Sequence, residues 1–312
     1  MAEYIAPGWT DRGGVRDTRT AHGQESIASA VLFDLAGRKN IAGYTRAGLG
    51  LPLARHYRRD WVDYHRAQIA DTDTVYVIPI GDVHFGHPAC DVKMLQGYLD
   101  WVAERPESAR ILLMGDLIES ATRNSVGAGV YEQEINLDAQ VDGIIALLKP
   151  YAGQIDAAVG GNHEQRIKNE TGLDVTKLIC RELGVRYLGY SGVVGYSANK
   201  ISYSVYMWHG AGGGRKPGGA LNRMEDMTNI AHADAYLMGH THKLGYFGRD
   251  VYAPDARNNK MSLMRQVFVN TGSCLGWNGG YAEMAGLGIP KRGFARVRLN
   301  LIKGRRDIHV SI

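Results

Sequence analysis

The stretch VYVIPIGDVH, residues 75–84, is a short apolar run rich in β-branched side chains that stops at Gly81 and then presents Asp82 and His84. A run of this length, bounded by a glycine, predicts a buried strand. Four later runs stop in the same way. ILLM (111–114) runs into Gly115-Asp116-Leu117-Ile118-Glu119, AAVG (157–160) into Gly161-Asn162-His163-Glu164, VYMW (205–208) into His209-Gly210, and AYLM (235–238) into Gly239-His240-Thr241-His242. Helical patterns lie between them, at about 89–104, 137–149, 172–183 and 219–230. Strands alternating with helices predict a layered α/β architecture with at least partly parallel strands.

Working outward, the final seventy or so residues carry strand patterns at about 244–252, 261–270, 293–301 and 306–311 and no convincing helix. They predict a second sheet, or the far half of a sandwich, closing the domain. Residues 1–72 have a different character. One amphipathic helical pattern, Glu25–Leu35, precedes an Arg-rich segment running to about residue 60, so 1–72 reads as a basic arm or helical extension and 73–312 as the main domain. The arm suits packing on the main domain or on a neighbouring subunit better than a degenerate DNA-binding element.

The chain's 312 residues suffice for one large core, and a formal net charge of +4 is compatible with a phosphate-bearing substrate. Cys90, Cys180 and Cys274 fall in no metal-binding spacing and read as reduced thiols. The first residues lack a signal-peptide pattern and no apolar run reaches membrane-spanning length, so a soluble, cytoplasmic protein is expected.

Side chains just beyond the carboxyl ends of strands in α/β sheets converge on one crevice. Five of the eleven histidines fall at these five strand ends, with two Asp and one Asn. Imidazole mixed with carboxylate and amide oxygen, without thiolate, suits Mn, Fe, Co, Ni or Zn. Even seven of these eight groups exceed one tetrahedral site, and they suit two adjacent ions sharing a bridging carboxylate. Beyond Gly239, strand-like alternation is expected to send His240 and His242 to different ions while Thr241 points away.

GDVH, GDLIE, GNHE, WHG and GHTH, in this order, resemble the signature blocks of the calcineurin-like metallophosphoesterase superfamily, and Val269-Asn-Thr-Gly-Ser273 resembles the strand that often follows them. The resemblance covers about residues 74–301. It implies a four-layer αββα sandwich of two mixed β-sheets with a dinuclear metal site, Mn first among the candidate metals. Asp82, His84, Asp116 and His242 would hold one ion, and Asp116, Asn162, His209 and His240 the other. His163 would act on the scissile phosphate as proton donor or charge stabiliser, and in-line attack would come from a metal-bridging hydroxide. Glu119 stands where the family often has Asp. Glu119 and Glu164 read equally well as groups orienting the ligands or as surface ion pairs.

Loops choose the substrate. Arg123, Arg166, Arg215 and Lys216 each follow a ligand block within a few residues and are candidate phosphate contacts. The leading expectation is a phosphodiesterase of the nuclease-like branch, acting on DNA, RNA or nucleotides. A phosphomonoesterase or protein phosphatase of the same fold, and a catalytically silent metal-bound binding protein, are the alternatives.

Overall fold

Val75 and Val77 turn to one side of the first long strand and Ile78 and Ile80 are packed on the other, all four fully buried. A strand apolar on both faces has to lie between two layers. The same parity holds in the other runs. Leu112, Val205, Met207, Leu237, Val267 and Val269 share the layer of Val75, whereas Ile111, Leu113, Tyr206, Tyr236 and Phe268 face the opposite way.

The computed structural model describes residues 62–123, 125, 131, 133–212, 216–278 and 281–312, all within one compact unit that runs to Ile312. The helical pattern at 25–35 and the basic arm up to residue 61 lie outside the described residues. Among the latter, six strands form one sheet: β2 (Thr74–Ile80), β3 (Ala109–Leu113), β4 (Ile155–Ala158), β5 (Arg186–Tyr187), β12 (Arg296–Asn300) and β13 (Asp307–Ser311), in the order β13-β12-β2-β3-β4-β5. β2 to β5 are mutually parallel, and β12 and β13 complete the edge antiparallel.

The second sheet has the order β1-β6-β7-β8-β10-β11, with β9 paired on β10. Its strands are β1 (Asp63–Arg66), β6 (Ser191–Ala198), β7 (Ile201–Trp208), β8 (Ala235–Met238), β9 (Leu244–Asp255), β10 (Lys260–Ser273) and β11 (Gly293–Phe294). β7, β8 and β10 are parallel neighbours. Both sheets are therefore mixed.

Val75, Leu112, Val205 and Leu237 fill the space between the sheets. On the outer face of the six-stranded sheet lie α1 (Val92–Ala103), α2 (Leu137–Leu148), α3 (Asn162–Thr171) and α4 (Val175–Leu183). α5 (Pro217–Asp226) covers the other sheet through Ala220 and Met224. The expected αββα sandwich is thus observed. α1 shows why each helix sits as it does: Leu95, Leu99 and Val102, spaced along one stripe, are fully buried, at about 2 kcal/mol each. Asp91 caps its start by accepting from Met94 N at 2.9 Å.

The structure departs from the expectation, or adds to it, in several elements. The C-terminal strands do not form a sheet of their own: β9 and β10 extend one sheet and β12 and β13 the other, because β10 pairs parallel to β8 and β12 pairs with β2. That segment also contains a single helical turn, α6 (Tyr281–Met284). The helix expected at about 172–183 is observed as α4, and a helix that was not expected, α3, precedes it, with Gly172 in the left-handed conformation (φ 77°) between the two. α3 buries only Glu164 and Ile167, so it carries no apolar period to read. β6 was hidden by Gly192 and Gly195, the second of which makes room for the Tyr64 ring from β1. β1 itself lies on the N-terminal side of the 72/73 boundary and pairs parallel with β6.

Candidate metal centre

β2, β3 and β4 of one sheet and β7 and β8 of the other end at the same edge of the sandwich. There the chain enters a conformation that L-residues rarely take. Asp82, His84, Asp116, His240 and His242 all have positive φ, between 48° and 66°. They are five of only nine such non-glycine residues among those described. Left-handed backbone at a non-glycine residue costs of order 1 kcal/mol or more, and it persists only where the surroundings enforce it. The alternation expected after Gly239 is therefore corrected: His240 and His242 reach apart through left-handed turns, not through an extended strand. Thr241, between them, accepts from Asn270 Nδ2 at 2.6 Å.

Two groups of potential metal-holding atoms built on an Asp result, Asp82 with His84 and His242, and Asp116 with His209 and His240, and a third cluster joins His84 with Glu119 and His163. His84 Nε2 stands 3.1 Å from His242 Nε2, which is 3.3 Å from Asp82 Oδ1. His209 Nε2 is 3.2 Å from Asp116 Oδ2 and 2.9 Å from Asn162 Oδ1, and the same amide oxygen lies 2.6 Å from His240 Nδ1. Close packing makes this possible. A Cβ at Gly161 would fall 2.1 Å from Asp116 N, so only glycine lets β4's end approach β3's.

The proton positions test whether a cation fits. His209 Nδ1 faces the Met114 carbonyl at 2.7 Å, an acceptor, so Nδ1 carries the hydrogen. The Nε2 lone pair of neutral His209 then points at the Asp116 carboxylate. His84 repeats the pattern: Nδ1 donates to Glu119 Oε2 at 2.8 Å and Nε2 faces another imidazole. Lone pairs directed at acceptors demand a positive charge between them, and a carboxylate or carbonyl fixing the outer imidazole nitrogen is the usual second layer of a metal site. Burial opposes protonation of His84 and His209. The Glu119 contact in the first case and the Asp116 charge in the second nonetheless raise them to about 9 and about 10. Burial would raise the Asp116 carboxyl, but the His209 and His163 rings hold it well below its ordinary range. The donor set fits divalent cations.

Glu164 is buried under this centre. Its carboxylate accepts from the backbone N–H groups of Asp116 (3.0 Å), Leu117 (2.6 Å), Ile118 (3.3 Å) and Gly161 (3.2 Å), tying the β3 and β4 turns together. Burial and the Asp116 charge push it up to about 7. Neither glutamate is a surface ion pair. For Glu119 we expect that replacement by Ala weakens divalent-ion affinity 10- to 100-fold, measured by chelator competition on metal-free protein. Unchanged affinity would remove Glu119 from ligand orientation.

His163 sits beside both groups, 3.9 Å from Asp116 Oδ2 through Nε2. Its Nδ1 donates to the Glu119 carbonyl at 2.6 Å, and Arg166, one turn further along α3, donates to Nε2 at 3.0 Å. Burial holds this ring down to about 4. Of the four candidate phosphate contacts, Arg166 is brought to the centre, and it also reaches Ser125 Oγ at 3.3 Å. Arg123 and Lys216 are exposed on loops, and Arg215 lies outside the described residues.

Three supports had no readable signal in the sequence: the Met114 carbonyl, Ser273 Oγ donating to the Asp82 carbonyl at 2.7 Å, and buried Gln140, which accepts from Ser120 N at 2.9 Å. Ser273 belongs to the block noted at 269–273, but its partner depends on how β10 meets β2's turn.

Solved structures similar to this chain include a phosphoesterase by name. A metallophosphoesterase from Sphaerobacter thermophilus is 14% identical, covering 76% of this chain and 88% of that one, with a TM-score of 0.35. A conserved uncharacterized protein of Streptococcus pneumoniae TIGR4, named a predicted phosphoesterase, is also 14% identical over 76% of this chain and 98% of its own, TM-score 0.34. The NAD nucleotidase of Haemophilus influenzae is 10% identical over 77% of this chain and 49% of its own, TM-score 0.37. No family model and no curated protein sequence matches the chain. No helix among the described residues is long and apolar enough to cross a membrane.

Proposed function

We propose that this chain is a dinuclear-metal-dependent phosphodiesterase of the calcineurin-like superfamily, acting on nucleic acid or nucleotides. The observation that supports it best is the convergence of two Asp/His groups, each with a buried carboxylate, at strand ends held in left-handed backbone. Strain of this kind collects where a fixed geometry is needed. Two divalent transition-metal ions, Mn first, supply Lewis-acid stabilisation of a phosphoryl group and a water of lowered pKa when bound in such a site.

The chain's own groups do the rest. Asp82, His84 and His242 would hold one ion and His209, His240 and Asn162 the other, with Asp116 contributing to both. Glu119 and the Met114 carbonyl keep the His84 and His209 protons on Nδ1, so that Nε2 stays available. Arg166 turns from His163 to a non-bridging phosphate oxygen when substrate arrives, and this frees His163 Nε2 to face the leaving oxygen. Arg123 and Lys216 stand on loops suited to further phosphate contacts, and Arg215 is a candidate for the same role by its place in the sequence.

Manganese-loaded protein is expected to hydrolyse bis(p-nitrophenyl) phosphate faster than p-nitrophenyl phosphate and to degrade oligonucleotides. A preference for the monoester would move the reading to a phosphomonoesterase. No turnover of any of them, with two ions bound per chain, would make it a metal-bound binding protein.

A further inference from the structure

The outer face of β12 and β13 presents a polar surface rather than an apolar one. Val297, Leu299, Ile308 and Val310 turn inward to the core between the sheets. The alternate residues turn outward, and there they line a cavity of about 280 Å³ formed by Tyr76, Trp101, Arg296, Arg298, His309 and Ser311. The ladder sets them in rows. Arg298 is paired with Tyr76 on one side and His309 on the other, and Arg296 with Ser311.

The walls are prepared for an anion beside a ring. Tyr76 and Trp101 meet edge to face, their centroids 5.5 Å apart. The Arg296 guanidinium lies 5.3 Å from the Trp101 centroid, which fixes a long side chain that would otherwise wander. Arg298 Nε is buried without a hydrogen-bond partner, while its terminal nitrogen makes an exposed ion pair with Asp307 at 3.5 Å. The exposed ion pair with Asp307 is of the kind that contributes little, so the guanidinium can exchange that carboxylate for a ligand's phosphate.

Charge extends the feature beyond one cavity. Residues 290–312 hold seven Lys or Arg against a single Asp, a surplus of +6 in a chain whose net charge is +4. Arg296 and Arg298 lie on β12, and the exposed Lys303 and Arg305 follow on the turn to β13. Along β2, the position paired with Arg298 is six residues before Asp82, or about 20 Å at strand rise. The cavity is therefore separate from the metal centre.

We propose that this groove binds single-stranded nucleic acid, with backbone phosphates on Arg296 and Arg298 and an unstacked base against the Tyr76 side of the cavity. A free phosphate would use two of these cations and leave the run of charge on the turn without purpose. A duplex presents no unstacked base to a cavity of this size. Cations interleaved with aromatic rings along a groove are the usual means of holding a single strand. The inference extends the phosphodiesterase reading to polymeric substrates, and it is tested without metal so that the two can fail separately.

The experiment is fluorescence anisotropy of a labelled oligothymidine against the full chain in EDTA, over a series of salt concentrations. Arg296→Ala/Arg298→Ala is expected to raise Kd about tenfold and to reduce the slope of log K against log salt by about 1.4, two phosphate contacts at the single-strand value. Arg296→Lys/Arg298→Lys should restore the slope but not the full affinity, since lysine lacks the planar fork. His309→Glu, a change at an exposed position with little consequence for folding, should weaken binding in the same direction. Metal-loaded Arg296→Ala/Arg298→Ala should still hydrolyse bis(p-nitrophenyl) phosphate at the wild-type rate. Unchanged Kd and slope in the double alanine variant would overturn the proposal, as would equal affinity for polyglutamate or tighter binding of duplex. Loss of small-diester hydrolysis in that variant would overturn the separation from the metal centre.

Discussion

Asp116→Asn protein is expected to bind one divalent ion or fewer per chain and to hydrolyse diesters about a thousandfold more slowly than wild type. Asparagine tolerates the left-handed backbone that Asp116 adopts (φ 48°) and keeps an oxygen to accept from His163 N, which the carboxylate does at 2.8 Å. The change therefore removes charge and little else. The charge matters because Asp116 Oδ2 lies 3.2 Å from His209 Nε2 on one side and 3.9 Å from His163 Nε2 on the other. On the proposed function, a two-ion clamp would supply several kcal/mol of transition-state stabilisation, and about 4 kcal/mol corresponds to the stated rate loss.

A thermal readout separates binding from turnover. Asp82, Asp116, Glu119 and Glu164 are four buried carboxylates near one another, so the metal-free fold carries repulsion that bound cations relieve. At an ion concentration about a hundredfold above Kd, each site adds about 2.7 kcal/mol to the stability of wild type. Calorimetry with and without manganese should show that gain reduced by at least one site's worth in Asp116→Asn. Two ions per chain by elemental analysis, with the wild-type thermal gain, would remove Asp116 from the bridging role.

His163→Ala has a different expected signature. The rate should fall about 10²- to 10³-fold with metal content unchanged, because the two groups built on Asp82 and Asp116 do not include the His163 ring, whereas lost metal would assign it to the third cluster, with His84 and Glu119. Its hydrogen bonds sharpen the test. With Nδ1–H held by the Glu119 carbonyl and Nε2 accepting from Arg166, the ring cannot donate through Nε2 until Arg166 leaves it and Nε2 takes up a proton. If His163 protonates the leaving oxygen, the loss should grow as the leaving alcohol becomes less acidic. A loss equal for nitrophenyl and alkyl leaving groups would assign it to charge stabilisation, and lost metal would exclude both roles.

Much of this was legible in one dimension because strand ends are local. An apolar run that stops at glycine and a ligand type can be read from ten residues, and the repetition of that pattern at 81–84, 115–119, 161–164, 209–210 and 239–242 predicted that the ends meet. The elements that were missed lacked a local signal. β6 contains two glycines whose vacancy is filled by other parts of the chain, and α3 is almost wholly polar because its work is to present His163, Glu164 and Arg166 at its first turn.

The sequence alone determined the layered α/β class, the two-sided burial of its strands and the set of residues gathered at one edge, since periodicity and residue type are properties of short segments. Tertiary structure alone decided how those residues act. Which imidazole nitrogen carries the proton depends on a carbonyl from residue 114 and a carboxylate from residue 119. The reach of His240 and His242 depends on left-handed backbone that neighbouring strands enforce. The outward row of Tyr76, Arg298 and His309 exists because β12 inserts between β2 and β13, a pairing between segments more than two hundred residues apart that no local pattern encodes.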